Sequence, residues 1–473
     1  MPNVSLCKQE NEVHYKPYVP KLVVYYDIQD ISSPTTICTN YDRSIKSIEV
    51  DGKETISEVS QGNVTYQFDS VGEHVIKYEF NNPTTIGNSA PLFLNAPTIK
   101  RVVIADTFTS IGNNAFNGCY SLTSIDIPNG VTSIGSNAFA SCSGLTNCTL
   151  GNGITSIGSN AFNGCYSLTS IDIPNGVTSI GNYTFQQCSG LTSCTIGSGV
   201  TSIGDNAFYS CISLRSIDIP NSVTSIGSEA FNNCSGLTSC TIGSGVTSIG
   251  QGAFNGCGGL VEIHYNAQCE LNTSFRGWSN NLKTVVIGDS TPSIGQRAFS
   301  NCSSLTSVTI GSGVTSIGNF AFEFCTSLTS IDIPDSVTSI GNGVFSNCTS
   351  LTSCTIGSGV TSISGAAFAG CTSLTSIEIP NSVISIGGTT VFQGCTSLTS
   401  VTIGSGVTSI GSGVFVDCTS LTSITCNATT APTIQSSTFQ NVKTGGTLTV
   451  PQGSSGYDAW MNRLPSNWTK VEQ

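Results

Sequence analysis

Charge is scarce in this 473-residue chain, which has 16 lysines and arginines, 28 aspartates and glutamates and only 9% charged residues in all. With a formal net charge of −12 it has no basic patch, which makes nucleic acid and anionic membrane poor partners. Nine of the basic residues fall in the first 101 positions, and only Arg215, Arg276, Lys283 and Arg297 lie between 102 and 426. Histidine occurs three times, as His14, His74 and His264, in no nucleophile or metal-binding motif. No G-x-S-x-G, P-loop or H-E-x-x-H is present, so no enzyme, cofactor or metal is expected. No apolar run approaches the length of a membrane span. The N-terminal stretch MPNVSLCKQENEVHYKPY has no apolar segment of the secretory type. Either a signal has been trimmed, or Met1 is native and export is not of the Sec type, as for a component of a virus particle.

What the chain has in abundance is one cassette, repeated from Ile99 to Cys426. The copy at 122–144 reads LTSIDIPNGVTSIGSNAFASCSG. Its leading leucine recurs at Leu145, Leu168, Leu191, Leu214, Leu237, Leu260, Leu282, Leu305, Leu328, Leu351, Leu374, Leu398 and Leu421. Counting Ile99, fifteen rungs follow. A period of this length marks a solenoid, in which a unit buries its apolar face only by stacking on its neighbours.

The cassette explains its own folding. Ser124-Ile-Asp-Ile127 alternates with period two, as a strand with one buried face does. Pro128, or glycine in alternate rungs such as Gly151, Gly197 and Gly243, ends it. Val131 to Ile134 forms a second short run, stopped by Gly135. Ala138, Phe139 and Cys142 fill the inside of the return segment. Parallel crossovers of this kind are right-handed.

The pattern L-x-x-I-x-I-P-x-x-V-x-x-I-G-x-x-A-F-x-x-C resembles the BspA-type, or Treponema-type, leucine-rich repeat. The resemblance covers about residues 99–426 and departs from the commoner leucine-rich consensus, since no asparagine ladder is expected after the strand. It implies a surface-exposed adhesion or binding protein. The expected fold is therefore mainly β: a right-handed leucine-rich-repeat solenoid at 99–426, a small β-sandwich at 1–98 and a C-terminal cap at 427–473. In the first part, Leu22–Tyr26, Ser47–Val50, Val64–Phe68 and His74–Phe80 read as strands, with turns at Asp51-Gly52 and Asn81-Asn-Pro83. In the cap, Thr447–Pro451 reads as a strand and Tyr457–Arg463 as a short helix, with Trp460 and Trp468 plugging the last rung.

Thirteen of the 21 cysteines share one cassette slot, from Cys119 to Cys418, and Cys148, Cys194, Cys240 and Cys354 replace an inward isoleucine. Disulfide frameworks use paired, irregular spacings and zinc sites use C-x-x-C pairs. Reduced, buried thiols are the expectation.

Two sets of outward residues are candidates for binding. The first is an acidic column at the fourth position after each leucine: Asp126, Asp172, Asp218, Asp332 and Glu378. These occupy alternate rungs, about 10 Å apart, too far for one ion to bridge two carboxylates. The simpler reading is that they keep the sheet soluble. The second is the aberrant rung between Leu260 and Leu282, with Glu262, His264, Arg276 and Trp278 where other rungs carry Ser, Asp or Thr, Asn and Gly. Exposed arginine and aromatic side chains dominate recognition hot spots, but a decayed repeat whose Trp278 fills the hole left by the missing Phe and Cys is the simpler reading.

Three functions compete: recognition of a host protein or glycan at a cell surface, a structural or fibre role in a virus particle through residues 1–98, and ice binding by the regular threonine columns.

Overall fold

The computed structural model describes residues 8–9, 12–13, 21–41, 45–56, 62–81, 85–87, 91–272 and 281–473. His14, the Asn82-Pro83 part of the expected turn, Arg276 and Trp278 lie outside the described residues. The chain forms two compact units, Met1–Leu214 and Arg215–Gln473. Both are mainly β and built on the same turn.

That turn is well seen at 122–144. Leu122, and Ile125 and Ile127 of the first strand (Ser124–Ile127), point inward and are at most 3% exposed, while Asp126 faces out. Val131 and Ile134 enter the core from the second strand, Ser133–Ile134. The return segment is a run of turns, not a helix. Asn137 and Ser141 take left-handed φ values of 54° and 59°, and Ala138, Phe139 and Cys142 are fully buried. The left-handed backbone swings the Asn137 N–H toward the next turn, where it donates to the Ser159 carbonyl at 3.0 Å. Return segments thereby hydrogen-bond to one another and leave few buried amides unpaired.

Consecutive turns stack in register. In the first unit Ser124–Ile127 pairs in parallel with Asn147–Leu150, residue for residue 23 apart. In the second, Ser330–Ile333 pairs in the same way with Ser353–Ile356. Like side chains form columns as a result. In the first unit the rings of Phe116, Phe139, Phe162 and Phe185 lie 5.3, 5.3 and 5.5 Å apart and within 10° of parallel. Phe322, Phe345, Phe368, Phe392 and Phe415 repeat the arrangement in the second at 5.2–5.6 Å.

Departures from the common repeat length are absorbed locally. The turn from Leu374 to Leu398 carries one extra residue, and the ladder between Ser385–Thr389 and Ser409–Ser412 shifts register after Ile386 to accommodate it. Thr390, in the slot that Asn137 fills in its own turn, has φ 63°, a conformation that disfavours a β-branched residue. Thr390→Gly keeps the N–H that Ser412 accepts and is expected to stabilise the second unit by about 1 kcal/mol, read as a rise in its melting temperature.

The N-terminal residues continue the solenoid sheet. Lys21–Ile28 pairs antiparallel with the first-rung strand Ile99–Ile104 on one side and with Gly72–Phe80 on the other. Ile45–Val50 and Glu54–Ile56 extend the sheet as a hairpin around Asp51 and Gly52, both at positive φ. The expected strands at 22–26, 47–50, 64–68 and 74–80 are present within a residue or two of their bounds. A further strand, Thr35–Tyr41, is not among the expected ones. It pairs with Gly62–Tyr66, and its Ile37 carbonyl accepts hydrogen bonds from the buried hydroxyls of Tyr26 and Tyr78.

At the C-terminal end the ladder also runs on. Gly446–Val450 pairs in parallel with Ser423–Cys426, and Trp468–Glu472 pairs with Gly446–Val450. The helix is Asp458–Met461. Trp460, fully buried, lies 5.4 Å from Phe439 and donates to the Pro432 carbonyl. It ends the aromatic column of the second unit.

Candidate functional site

The interior is fully used by stacking, so any recognition chemistry belongs to the outward columns. Asp126, Asp172, Asp218, Asp332 and Glu378 are all exposed. Within the second unit, Asp218, Thr241 and His264 are register partners in successive strands. His264 thus occupies the slot that an acid fills in other turns. Its Nε2 lies 2.8 Å from Glu262 Oε1, and both side chains are nearly half exposed. The aberrant rung also turns Tyr265 inward and fully buried, its hydroxyl donating to the Cys269 carbonyl at 3.2 Å. Of the four candidate residues in this rung, Glu262 and His264 form a pair. The placement of Arg276 and Trp278 is outside the described residues.

Beside Glu378 the second unit has a concavity of about 1210 Å³, lined among others by Asp335, Ser353, Cys354, Ser376 and Thr355, the register partner of Asp332. Cys354 is only partly buried, unlike Ile331 and Ile377 in the same column, which are 2% and 4% exposed. Its shorter side chain leaves the opening between two isoleucine turns. Asp335 is fixed by the neighbouring turn. Its Oδ1 accepts from the Ser358 N–H at 2.7 Å and from its hydroxyl at 3.0 Å, and these bonds hold the carboxyl below its ordinary range.

The Asp335–Ser358 link is one of a series, and it corrects the expectation that no asparagine ladder exists. Asn129 Oδ1 accepts from Asn152 N and Asn175 Oδ1 from Ser198 N in the first unit. Asn221, Asp289 and Asn381 do the same toward Ser244, Ser312 and Ser405 in the second. The ladder joins each proline turn to the glycine turn that follows it, and Asp289 joins two glycine turns. The return link, where present, is a hydroxyl: Ser336 and Ser382 donate to the carbonyls of Val314 and Val360. These side chains are the physical basis of the double rung. A sequence comparison of the residue after proline with its counterpart one rung on would have found them.

Tight spacing at these links explains the second glycine of each Gly-Ser-Gly triplet. A Cβ on Gly359 would strike the Asp335 carbonyl oxygen, and one on Gly245 the Asn221 carbonyl oxygen. Neither glycine has positive φ, so the requirement is close approach and not backbone freedom. Gly359→Ala is expected to destabilise the second unit by about 1–3 kcal/mol, measured by denaturant titration.

All described cysteines are free thiols. The slot from Cys119 to Cys418 is more specific than a small apolar filler. Cys142 Sγ donates to the Phe116 carbonyl of the preceding turn at 3.1 Å, and Cys348 and Cys418 donate likewise to Phe322 and Phe392. Burial pushes Cys142, Cys257, Cys302, Cys348 and Cys418 up to about 12. Such thiols stay protonated and unreactive at neutral pH. Among the described residues no group of three or more histidine, cysteine, aspartate or glutamate side chains is placed to hold a metal ion, and no helix is long and apolar enough to cross a membrane.

Parallel turns of this length, with a leucine and two strands each, define a leucine-rich-repeat solenoid. The family model described as the BspA type leucine rich repeat region matches residues 84–211, 155–273, 271–390 and 367–459, and the chain belongs to that family. Members are commonly surface proteins, and the fold is typically non-enzymatic. Among solved structures the chain is similar to a leucine rich cell surface protein from Faecalibacterium prausnitzii, with 31% identity, coverage of 74% of this chain and 84% of that one, and a TM-score of 0.32. A leucine-rich repeat protein from Bacteroides ovatus is 28% identical, over 83% of this chain and 94% of that one, with a TM-score of 0.43. One from Eubacterium ventriosum is 22% identical, over 71% and 83%, with a TM-score of 0.33. No match is found among curated proteins.

Proposed function

We propose that the protein is a non-enzymatic recognition or adhesion protein of a cell surface, engaging a host protein or glycan through the outward columns of its repeats. The single observation that carries this reading is the family match over residues 84–459, in a chain whose inward side chains are consumed by stacking. What remains for function is a regular polar exterior with few breaks. Two of those breaks are the proposed contact points: the Glu262–His264 pair, with Arg276 and Trp278 of the same rung, and the carboxylates Asp332 and Glu378 beside the 330–382 concavity. Asp126, Asp172 and Asp218, acids of the same slot, are proposed as auxiliary contacts. Residues 1–98 and 427–473 are proposed as terminal modules that close the repeat array of 99–426, the first also serving for docking in a larger assembly.

The test is direct. The full chain, presented to arrays of extracellular-matrix proteins and of glycans, is expected to retain at least one class of ligand. Glu262→Ala with His264→Ala, or Asp332→Asn with Glu378→Gln, is expected to weaken that binding about tenfold without lowering thermal stability. Absence of binding on both arrays overturns the reading.

A further inference from the structure

The first unit carries a feature that the second lacks. Directly after the core cysteine, Tyr120 and Tyr166 stand 49% and 50% exposed, and Ile212 continues their column at 46%. Tyrosines on a surface are normal singly, but these recur at a fixed 46-residue interval. In the second unit the same slot holds serine, glycine or threonine, from Ser235 through Gly258 and Thr349 to Thr419.

The slot between the two rings holds the small Ser143, followed by a glycine that the backbone requires. In the intervening turns the corner reads Ser143-Gly144 and Ser189-Gly190. A Cβ on Gly144 would strike the Tyr120 carbonyl oxygen, and one on Gly190 the Tyr166 carbonyl oxygen. No side chain can be grown there without displacing the neighbouring turn. The Gly144 N–H also donates to that Tyr120 carbonyl at 3.0 Å, which fixes the corner. Each turn advances the core rings by 5.3 Å here, so Tyr120 and Tyr166 recur about every 10 Å, twice the strand spacing. Among the described residues neither phenol has a hydrogen-bond partner, so both keep a free donor and acceptor.

The corner segments that carry the two rings are uncharged, with Lys100 and Arg101 at one edge, in register with Thr123 and Ser124. From Phe116 to Ser124, Phe139 to Asn147, Phe162 to Ser170, Phe185 to Ser193 and Phe208 to Leu214, no residue is acidic or basic. The amides of Asn163 and Gln186 hydrogen-bond across two of these turns at 3.0 Å. In a chain of net charge −12, a neutral corner of this extent selects against sulfated or uronic chains, which would need cations, and against basic peptides. An extended peptide also has the wrong period, since its like-facing side chains repeat about every 7 Å. The column presents side chains and no open sheet edge for strand addition.

We propose that the Tyr120–Tyr166 corner binds an uncharged, extended β-linked polysaccharide, one tyrosine taking every second sugar ring. The flat C–H face of such a sugar suits an aromatic ring that is apolar in body and polar at its tip, and the alternation of sugar faces along the chain matches the two-turn interval. The corner is distinct from the contact points proposed above, and the inference rests on the reading of the protein as a recognition module.

Titration calorimetry of the full chain with soluble hexasaccharides of β-1,4-linked glucose, xylose, mannose and N-acetylglucosamine tests it. At least one is expected to bind. Tyr120→Ala and Tyr166→Ala are each expected to weaken it about tenfold or more, while Tyr→Phe at either position retains most of the affinity. The corresponding disaccharide, which reaches one ring only, should bind about tenfold more weakly, and Tyr166→Ala should remove most of that dependence on length. Thermal melts of the variants should match the parent, since both rings are surface residues. Binding of none of the four sugars, or sugar binding unaffected by both alanine variants, overturns the inference. If a matrix protein binds in those same variants, the broader recognition reading survives its loss.

Discussion

Phe162→Ala is expected to destabilise the first unit by about 3–5 kcal/mol, the range for removing a fully buried phenylalanine. The ring is completely buried and stacks on Phe139 at 5.3 Å and on Phe185 at 5.5 Å, within 10° of parallel to both. Its neighbours cannot collapse into the vacancy. Each is tied to its own turn by the backbone bonds of the return segment, and Phe162 N itself donates to the Thr184 carbonyl at 2.9 Å. A cavity therefore stays open, which puts the cost at the high end for the substitution. In a repeat array each turn is stabilised chiefly by its two interfaces, so the loss should also be local. Amide exchange is expected to accelerate in the turns that contain residues 139–185 before the ends of the unit respond. Tyr166→Ala, four residues away and half exposed, serves as the control and should shift stability by no more than about 0.5 kcal/mol.

Alkaline unfolding is the second large effect expected. Burial raises Cys142, Cys257, Cys302, Cys348 and Cys418 from 9.0 to about 12 in the folded chain. Below pH 9 both folded and unfolded states keep these thiols protonated, and stability does not depend on them. Between pH 9 and about 12 the unfolded chain has lost those protons and the folded chain still holds them. Stability must fall as pH rises through that window, by about 1.4 kcal/mol per pH unit for each such thiol. Several thiols acting together exceed the few kcal/mol by which a domain is ordinarily stable. Denaturant titrations at a series of pH values are expected to be flat from neutrality to pH 9 and to lose midpoint steeply above it. Replacing Cys348 by alanine should reduce the slope while costing some stability at neutral pH, since its S–H bond to the Phe322 carbonyl is lost. A midpoint independent of pH up to 11 would mean that the thiols are not buried in this way.

Much of this was legible because a repeat multiplies its own signal. The inward positions of Leu122, Ile125, Ile127, Val131, Ile134, Phe139 and Cys142 follow from alternation and period alone. The strand ends set by Pro128 and Gly151 do so as well. What escaped the sequence depends on partners a whole turn away. Asn129 looks like an ordinary turn residue after proline, and only the stacking of successive rungs reveals that its carboxamide holds the next turn. Gly359 looks like a flexible corner, but its role is set by the Asp335 carbonyl beneath it. The sheet at 21–104 joins strands through antiparallel pairing that no local pattern specifies, and the Thr35–Tyr41 strand has polar alternation too weak to read. The oddity of their rung marks Glu262 and His264 in the sequence. That His264 stands in the column of Asp218 follows from its place four residues after Leu260, and the strand register agrees. Tyr120 and Tyr166 sit beside the recurrent cysteine in a slot that is mostly serine or threonine elsewhere, and only their exposure sets them apart.

In-register stacking of interchangeable double turns is the claim on which the rest depends, and excision tests it most directly. Deleting the 46 residues from Thr329 to Leu374 joins Leu328 to Thr375 and removes one proline turn and one glycine turn without disturbing any column. The shortened chain is expected to fold with an unchanged strand signature and a melting temperature close to that of the parent. A deletion of about one and a half turns, which joins a first strand to the return segment of another turn, should fail to fold cooperatively. If both deletions behave alike, whether tolerated or destructive, the turns do not stack in the register described.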